Sequence, residues 1–136
     1  MYYTVNEESI ADMVDTFYLE IRRDPLLGPI FESAIGNQWT PHLAKMKAFW
    51  SSVLLASRTY KGNPMIAHLR LPLLTARHFE RWLELWRATA VALCSQELAQ
   101  VFVQRAEGIG ARLLSTISQF HGPAVREAAE AMSEAL

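Results

Sequence analysis

Apolar residues recur every three or four positions along almost the whole of this chain, and the rhythm breaks where proline or glycine interrupts it. A period of that kind leaves only amphipathic helices to build with. The breaks then set the lengths. A first helix is predicted from about Asn6 to Arg22, started by Thr4 with Glu7 or by Asn6 as cap, and stopped by Asp24 and Pro25. Ile10, Met13, Val14, Phe17 and Ile21 form its inner stripe, and Tyr18 joins them. The stretch PLLGPIFESAIG, with two prolines and Gly28, admits only short helical turns, and Gly36 suits a C-terminal cap.

Thr40 followed by Pro41 predicts a second long helix from about Pro41 to Ser57, with Leu43, Met46, Phe49, Trp50, Val53 and Leu54 inward. His42 sits in its first turn on the same stripe. A short helix follows between Pro64 and Pro72, in the segment KGNPMIAHLRLP. Thr75 caps a helix to about Leu93 that turns Phe79, Trp82, Leu83, Trp86, Ala90 and Leu93 to one face. A last long helix runs from about Gln96 to Phe120, where Gly108 and Gly110 are expected to let helices approach closely. No strand pattern, Gly-rich phosphate loop or nucleophile elbow is present. The expected fold class is therefore all-α, with four main helices and one short helix between the second and third. Residues 1–122 make one domain, and 123–136 form an Ala- and Glu-rich extension, helical or disordered.

Charge excludes several functions. Thirteen basic residues oppose fourteen acidic ones, which is no footprint for nucleic acid or an anionic membrane surface. One cysteine, Cys94, allows neither an intrachain disulfide nor a thiolate metal cluster. The N-terminus MYYTVNEESI is not a signal segment and no run approaches a membrane span, so a cytoplasmic location is expected.

Of the four histidines, His121 beside Gly122 and Pro123 reads as a surface residue, and His78 beside Arg77 as solvated or paired with an anion. His68 differs. Held in a stub between helix breakers, it can hydrogen-bond a carbonyl one turn earlier through one ring nitrogen and aim the other outward, as metal-ligating histidines are oriented. Tyr18 and Trp86 each place a polar hydrogen on an apolar stripe, and alone each reads as ordinary core packing with a backbone acceptor. With His42 and His68 they make a polar spot in an aromatic, apolar cavity. Zinc would need three or four protein ligands, and neither HExxH nor the Glu-x-x-His pairs of di-iron bundles occur. A single histidine suits haem, whose macrocycle brings the other four ligands.

The segments FYLEIRRDPLLGPIFESAIG, WTPHLAKMKAFW, YKGNPMIAHLRLP and FERWLELW resemble the truncated haemoglobins, specifically their group III branch, from about Ser9 to Phe120. The resemblance implies a two-over-two helical sandwich around haem b. It implies His68 as the iron ligand, and Tyr18, His42 and Trp86 as polar residues on the opposite face that hold and gate a diatomic ligand. Phe31, Met46, Phe49, Trp50, Met65, Phe79 and Trp82 would neighbour the porphyrin, and Tyr60, Arg70, Arg77 and His78 are candidates to meet its propionates. On this reading dioxygen is held tightly and released slowly. That favours redox chemistry, such as nitric oxide detoxification or peroxide handling, over transport. Such activity needs a separate electron donor or reductase, since this chain has no flavin or nicotinamide motif. A haem-based sensor and a haem-free helical interaction module are the alternatives. The near-zero net charge is compatible with a monomer or weak dimer.

Overall fold

The computed structural model describes residues 1–69 and 74–121, with the side chains of residues 65, 66, 69, 120 and 121 left out of that description. Six helices stand in order among the described residues: α1 (Glu7–Arg23), α2 (Gly28–Ile35), α3 (Trp39–Leu55), α4 (Pro64–Leu69), α5 (Ala76–Leu93) and α6 (Gln96–His121). No strand is present among them. The N-terminal segment makes a single parallel bridge, Tyr2 to Cys94.

Helix α1 realises its sequence pattern closely. Asn6 caps it, with Ser9 answering in a reciprocal box, because the first-turn N–H groups have no partner within the helix. Its stripe of Ile10, Met13, Val14 and Ile21 is fully buried, with Phe17 and Tyr18 nearly so. Burial of side chains this size stabilises the fold by roughly 1.5–3 kcal/mol each, which makes α1 the centre of the core. It packs on α2, α3 and α5, and α5 packs along α6. The pairs α1/α3 and α5/α6 thus form the two layers of the expected sandwich, and α4 rests on α6.

Two elements differ from the sequence reading. PLLGPIFESAIG holds a true two-turn helix, α2, because Pro29 sits in its first turn, where no N–H is required. Gly36 ends it at φ 58°, the left-handed conformation glycine tolerates. Helix α3 starts at Trp39, two residues ahead of the expected start at Pro41, from Gln38 without a side-chain cap. Its Leu43, Met46, Phe49 and Leu54 are only half-buried, while Trp50 is buried. Helix α4 is six residues long, and its expected stop at Pro72 lies outside the described residues, as does the extension 123–136.

The α1/α2 corner is tight. A Cβ on Gly28 would come within 2.9 Å of the Arg22 carbonyl oxygen, so only glycine fits there. The corner is pinned by Asp24, whose carboxylate accepts the Leu26 and Leu27 N–H groups at 3.1 and 2.9 Å and the Arg81 guanidinium of α5 at 2.7 Å. Burial pushes the Asp24 carboxyl up, but those bonds and the Arg81 charge outweigh it and hold the group below its ordinary range. The expected close approach at the α6 glycines is not seen. An added Cβ on Gly110 would make ordinary contact with Trp82 and Phe79, and one on Gly108 would meet nothing within 4 Å.

Candidate functional site

Tyr18 and His42 come together between α1 and the first turn of α3. Their rings meet edge to face, 5.2 Å apart at 89°. Phe31 of α2 and Trp39 of α3 each stand 5.9 Å from the Tyr18 ring. Trp39 is also 5.8 Å from His42 at 87°. A polar pair, Tyr18 from α1 and His42 from α3, therefore sits inside an aromatic setting.

Neither polar group is satisfied by the fold. His42 Nε2 is buried and has no hydrogen-bond partner. The Tyr18 hydroxyl makes no hydrogen bond among the described residues, and burial pushes its pKa well above the phenol range, so it stays a protonated donor. Burial, with Lys45 nearby, holds the His42 imidazole below its ordinary range. It is neutral at neutral pH, with one nitrogen to donate and one to accept. An unpaired buried polar atom costs about 1–3 kcal/mol. One such atom, His42 Nε2, beside a Tyr18 hydroxyl that makes no internal hydrogen bond among the described residues, fits a polar guest.

His68 on α4 is oriented as its sequence context requires. Its Nδ1 donates to the Pro64 carbonyl, one turn earlier, at 2.6 Å. That bond fixes the tautomer and leaves Nε2 as a lone-pair donor away from the helix backbone. No group of three or more His, Cys, Asp or Glu side chains that could cage a metal ion occurs among the described residues. The donor chemistry is therefore one imidazole, which fits an iron that arrives with its own macrocycle.

Trp86 differs from the expectation. Its indole N–H donates to the Phe102 carbonyl of α6 at 3.0 Å, so its polar hydrogen is engaged inside the core. Its ring stacks on Trp50 at 4.6 Å and lies parallel to Trp82 at 6.4 Å. Phe17 joins this indole stack to Tyr18, with ring contacts to Trp86 at 4.9 Å and to Tyr18 at 5.0 Å. Met46 and Phe49 line α3 on the half-buried side, and Tyr60 closes edge-on against Phe49 at 5.2 Å, with burial raising its phenol pKa. Phe79 belongs to a second cluster with Leu74, Leu113 and Ile117.

The remaining candidates are less gathered. His78 is buried rather than solvated: its Nδ1 accepts from the Thr75 N–H at 2.9 Å, capping α5. Burial and the adjacent Arg77 lower its pKa, in keeping with an unprotonated Nδ1. Arg77 is exposed and lines a surface depression of about 570 Å³ with Asp24, Pro25, Leu26, Glu80, Arg81 and Glu84, apart from the Tyr18–His42 pair. The Met65 side chain and Arg70 lie outside the described residues. Trp39 was missed as a site residue. Its only sequence signal was an aromatic three positions ahead of His42, on the adjoining turn of the helix.

No family model matches the chain. It is 37% identical over 122 residues to the group 3 truncated haemoglobin Ctb of Campylobacter jejuni, covering 88% of this chain and 96% of that protein. It is 34% identical over 86 residues to the group 2 truncated haemoglobin YjbI of Bacillus subtilis, covering 60% of this chain and 62% of that one. The crystal structure of the group III truncated haemoglobin from Campylobacter jejuni superposes with a TM-score of 0.82, over 88% of this chain and 96% of that one.

Proposed function

Because this chain belongs to the truncated haemoglobin family, in its group 3 branch, we propose that it holds haem b through His68 and receives dioxygen, nitric oxide or carbon monoxide beside Tyr18 and His42. When bound, haem supplies an iron with one open coordination position for a small gas and the capacity to change redox state. The chain's own residues supply the rest. His68 presents Nε2 to the metal, its ring held by the bond to the Pro64 carbonyl. Tyr18 donates its hydroxyl hydrogen to the guest, and neutral His42 adds a second donor or acceptor at Nε2. Half-buried Leu43, Met46 and Phe49 give the cofactor an apolar flank.

The observation that carries this reading is the buried His42 Nε2 without a partner, set against a Tyr18 hydroxyl equally without one. A hydrogen bond to a charge-bearing guest is worth about 1.5–3 kcal/mol. Tight holding of that kind suits reaction better than delivery, and the reaction we favour is conversion of nitric oxide to nitrate. One nitric oxide, one dioxygen and one electron give one nitrate. The electron must come from a separate reductase in the same, cytoplasmic compartment, because the chain carries no flavin or nicotinamide motif. Indole Nε1 of Trp86 contributes as a guest donor only by leaving the Phe102 carbonyl, so its part is secondary.

Rapid mixing of the oxygen-loaded protein with nitric oxide tests the proposal. One nitrate per protein, formed as the chain turns ferric, is the expected result. Release of dioxygen without nitrate would overturn it.

A further inference from the structure

Outside the Tyr18–His42 pair the structure is layered. The His42 ring is covered by Trp39, which is 8% exposed. Trp39 is in turn covered by Arg22 of α1, whose guanidinium carbon lies 4.4 Å from the centre of the indole ring. Arg22 is fixed by Glu32 of α2 through an ion pair of 2.8 Å. The second Glu32 oxygen receives the Trp39 indole N–H in a long bond of 3.4 Å. Two helices thus clasp one side chain of a third.

The clasp matters because of what lies beneath it. Buried and unpartnered, His42 Nε2 would be better satisfied in water, so something must keep the ring inward. The start of α3 has no side-chain cap to pin its first turn. Trp39 and His42, three residues apart, share that turn, and the clasp on Trp39 adds a polar anchor to α1 and α2 beside the ring contacts of Tyr18.

We propose that Trp39, latched by Arg22 and Glu32, is a lid over the gas pocket and sets how readily an uncharged gas passes His42. The inference rests on the haem reading above. Arg22 and Glu32 side chains are 45% and 44% exposed, so the latch lies within reach of salt. Screening at about 1 M salt shrinks the electrostatic range to ~3 Å. Entry of carbon monoxide, which has no charge to steer, therefore acquires a salt dependence only if an ion pair opens and closes the way.

The test is laser photolysis of the carbon monoxide complex of the full-length, haem-loaded protein, at low salt and at about 1 M. Glu32→Gln breaks the latch with little change of shape, and Trp39→Phe weakens the cation contact and removes the indole hydrogen bond while keeping an aromatic core residue. In the same samples, carbethoxylation of His42 followed by mass spectrometry reads its exposure independently of any reaction. Wild-type bimolecular rebinding should quicken about three- to tenfold with salt, the scale of a weak surface ion pair plus a cation–aromatic contact. Glu32→Gln and Trp39→Phe should be fast at both salts, with His42 labelled correspondingly sooner. Wild-type rates and labelling in both variants, with haem intact, would overturn the lid. A chain that takes up no haem would overturn the haem reading and the lid with it.

Discussion

Replacing Tyr18 by phenylalanine removes one oxygen and leaves the ring. The ring's contacts with Phe17 at 5.0 Å, Phe31 and Trp39 at 5.9 Å and His42 at 5.2 Å all survive. Since the hydroxyl has no hydrogen-bond partner among the described residues, the gas-free fold loses no internal bond. With no internal bond lost and the ring kept, stability should stay within about 1 kcal/mol of the wild type. The gas-loaded protein loses a donor to a guest that bears partial negative charge, worth about 1.5–3 kcal/mol. Dioxygen should then leave roughly ten- to a hundredfold faster. Stopped-flow displacement of dioxygen by carbon monoxide measures the rate, and urea unfolding of the gas-free protein measures the stability. An unchanged rate with haem in place would refute the assignment of Tyr18 as donor. A stability loss above about 2 kcal/mol would show that the hydroxyl serves the fold instead.

Trp86→Phe should behave in the opposite way. It strands the buried Phe102 carbonyl and thins the stack on Trp50, at a cost of about 1–3 kcal/mol. Thermal unfolding should fall by roughly 3–10 °C, while dioxygen release changes less than in Tyr18→Phe. Asp24→Ala should cut stability at neutral pH and flatten its loss in acid. The folded carboxyl lies below its ordinary value of 3.8, so its contribution is full above that value and fades as pH falls through the lower folded one. Urea midpoints measured across pH 2–7 check this, and parallel wild-type and variant curves would count against the Asp24–Arg81 anchor.

Helices stabilised locally were legible in the sequence. The α1 stripe is buried as its spacing implies, because apolar side chains at helical period have one face to hide. Thr75 caps α5 as read, though its reciprocal partner at the third helical position is His78. A histidine there is outside the usual Glu or Gln pattern, which is why it read as solvated. What escaped depends on neighbours distant in sequence. The Trp86 acceptor lies on another helix, sixteen residues on, and no local pattern carries that information. Trp39 read as a residue before a helix start, and its place over His42 follows from Arg22 and Glu32 arriving from two other helices. The internal bond of His68, by contrast, spans a single turn and followed from its position after Pro64.

The central claim is that one imidazole, His68, carries the cofactor. Haemin titration of the purified chain, followed by reduction and absorption spectroscopy, measures this most directly when run beside His68→Gly with and without free imidazole. The account predicts one haem per chain with a histidine-ligated ferrous spectrum, lost in His68→Gly and restored by imidazole. An unaltered Soret band in His68→Gly without imidazole would contradict it.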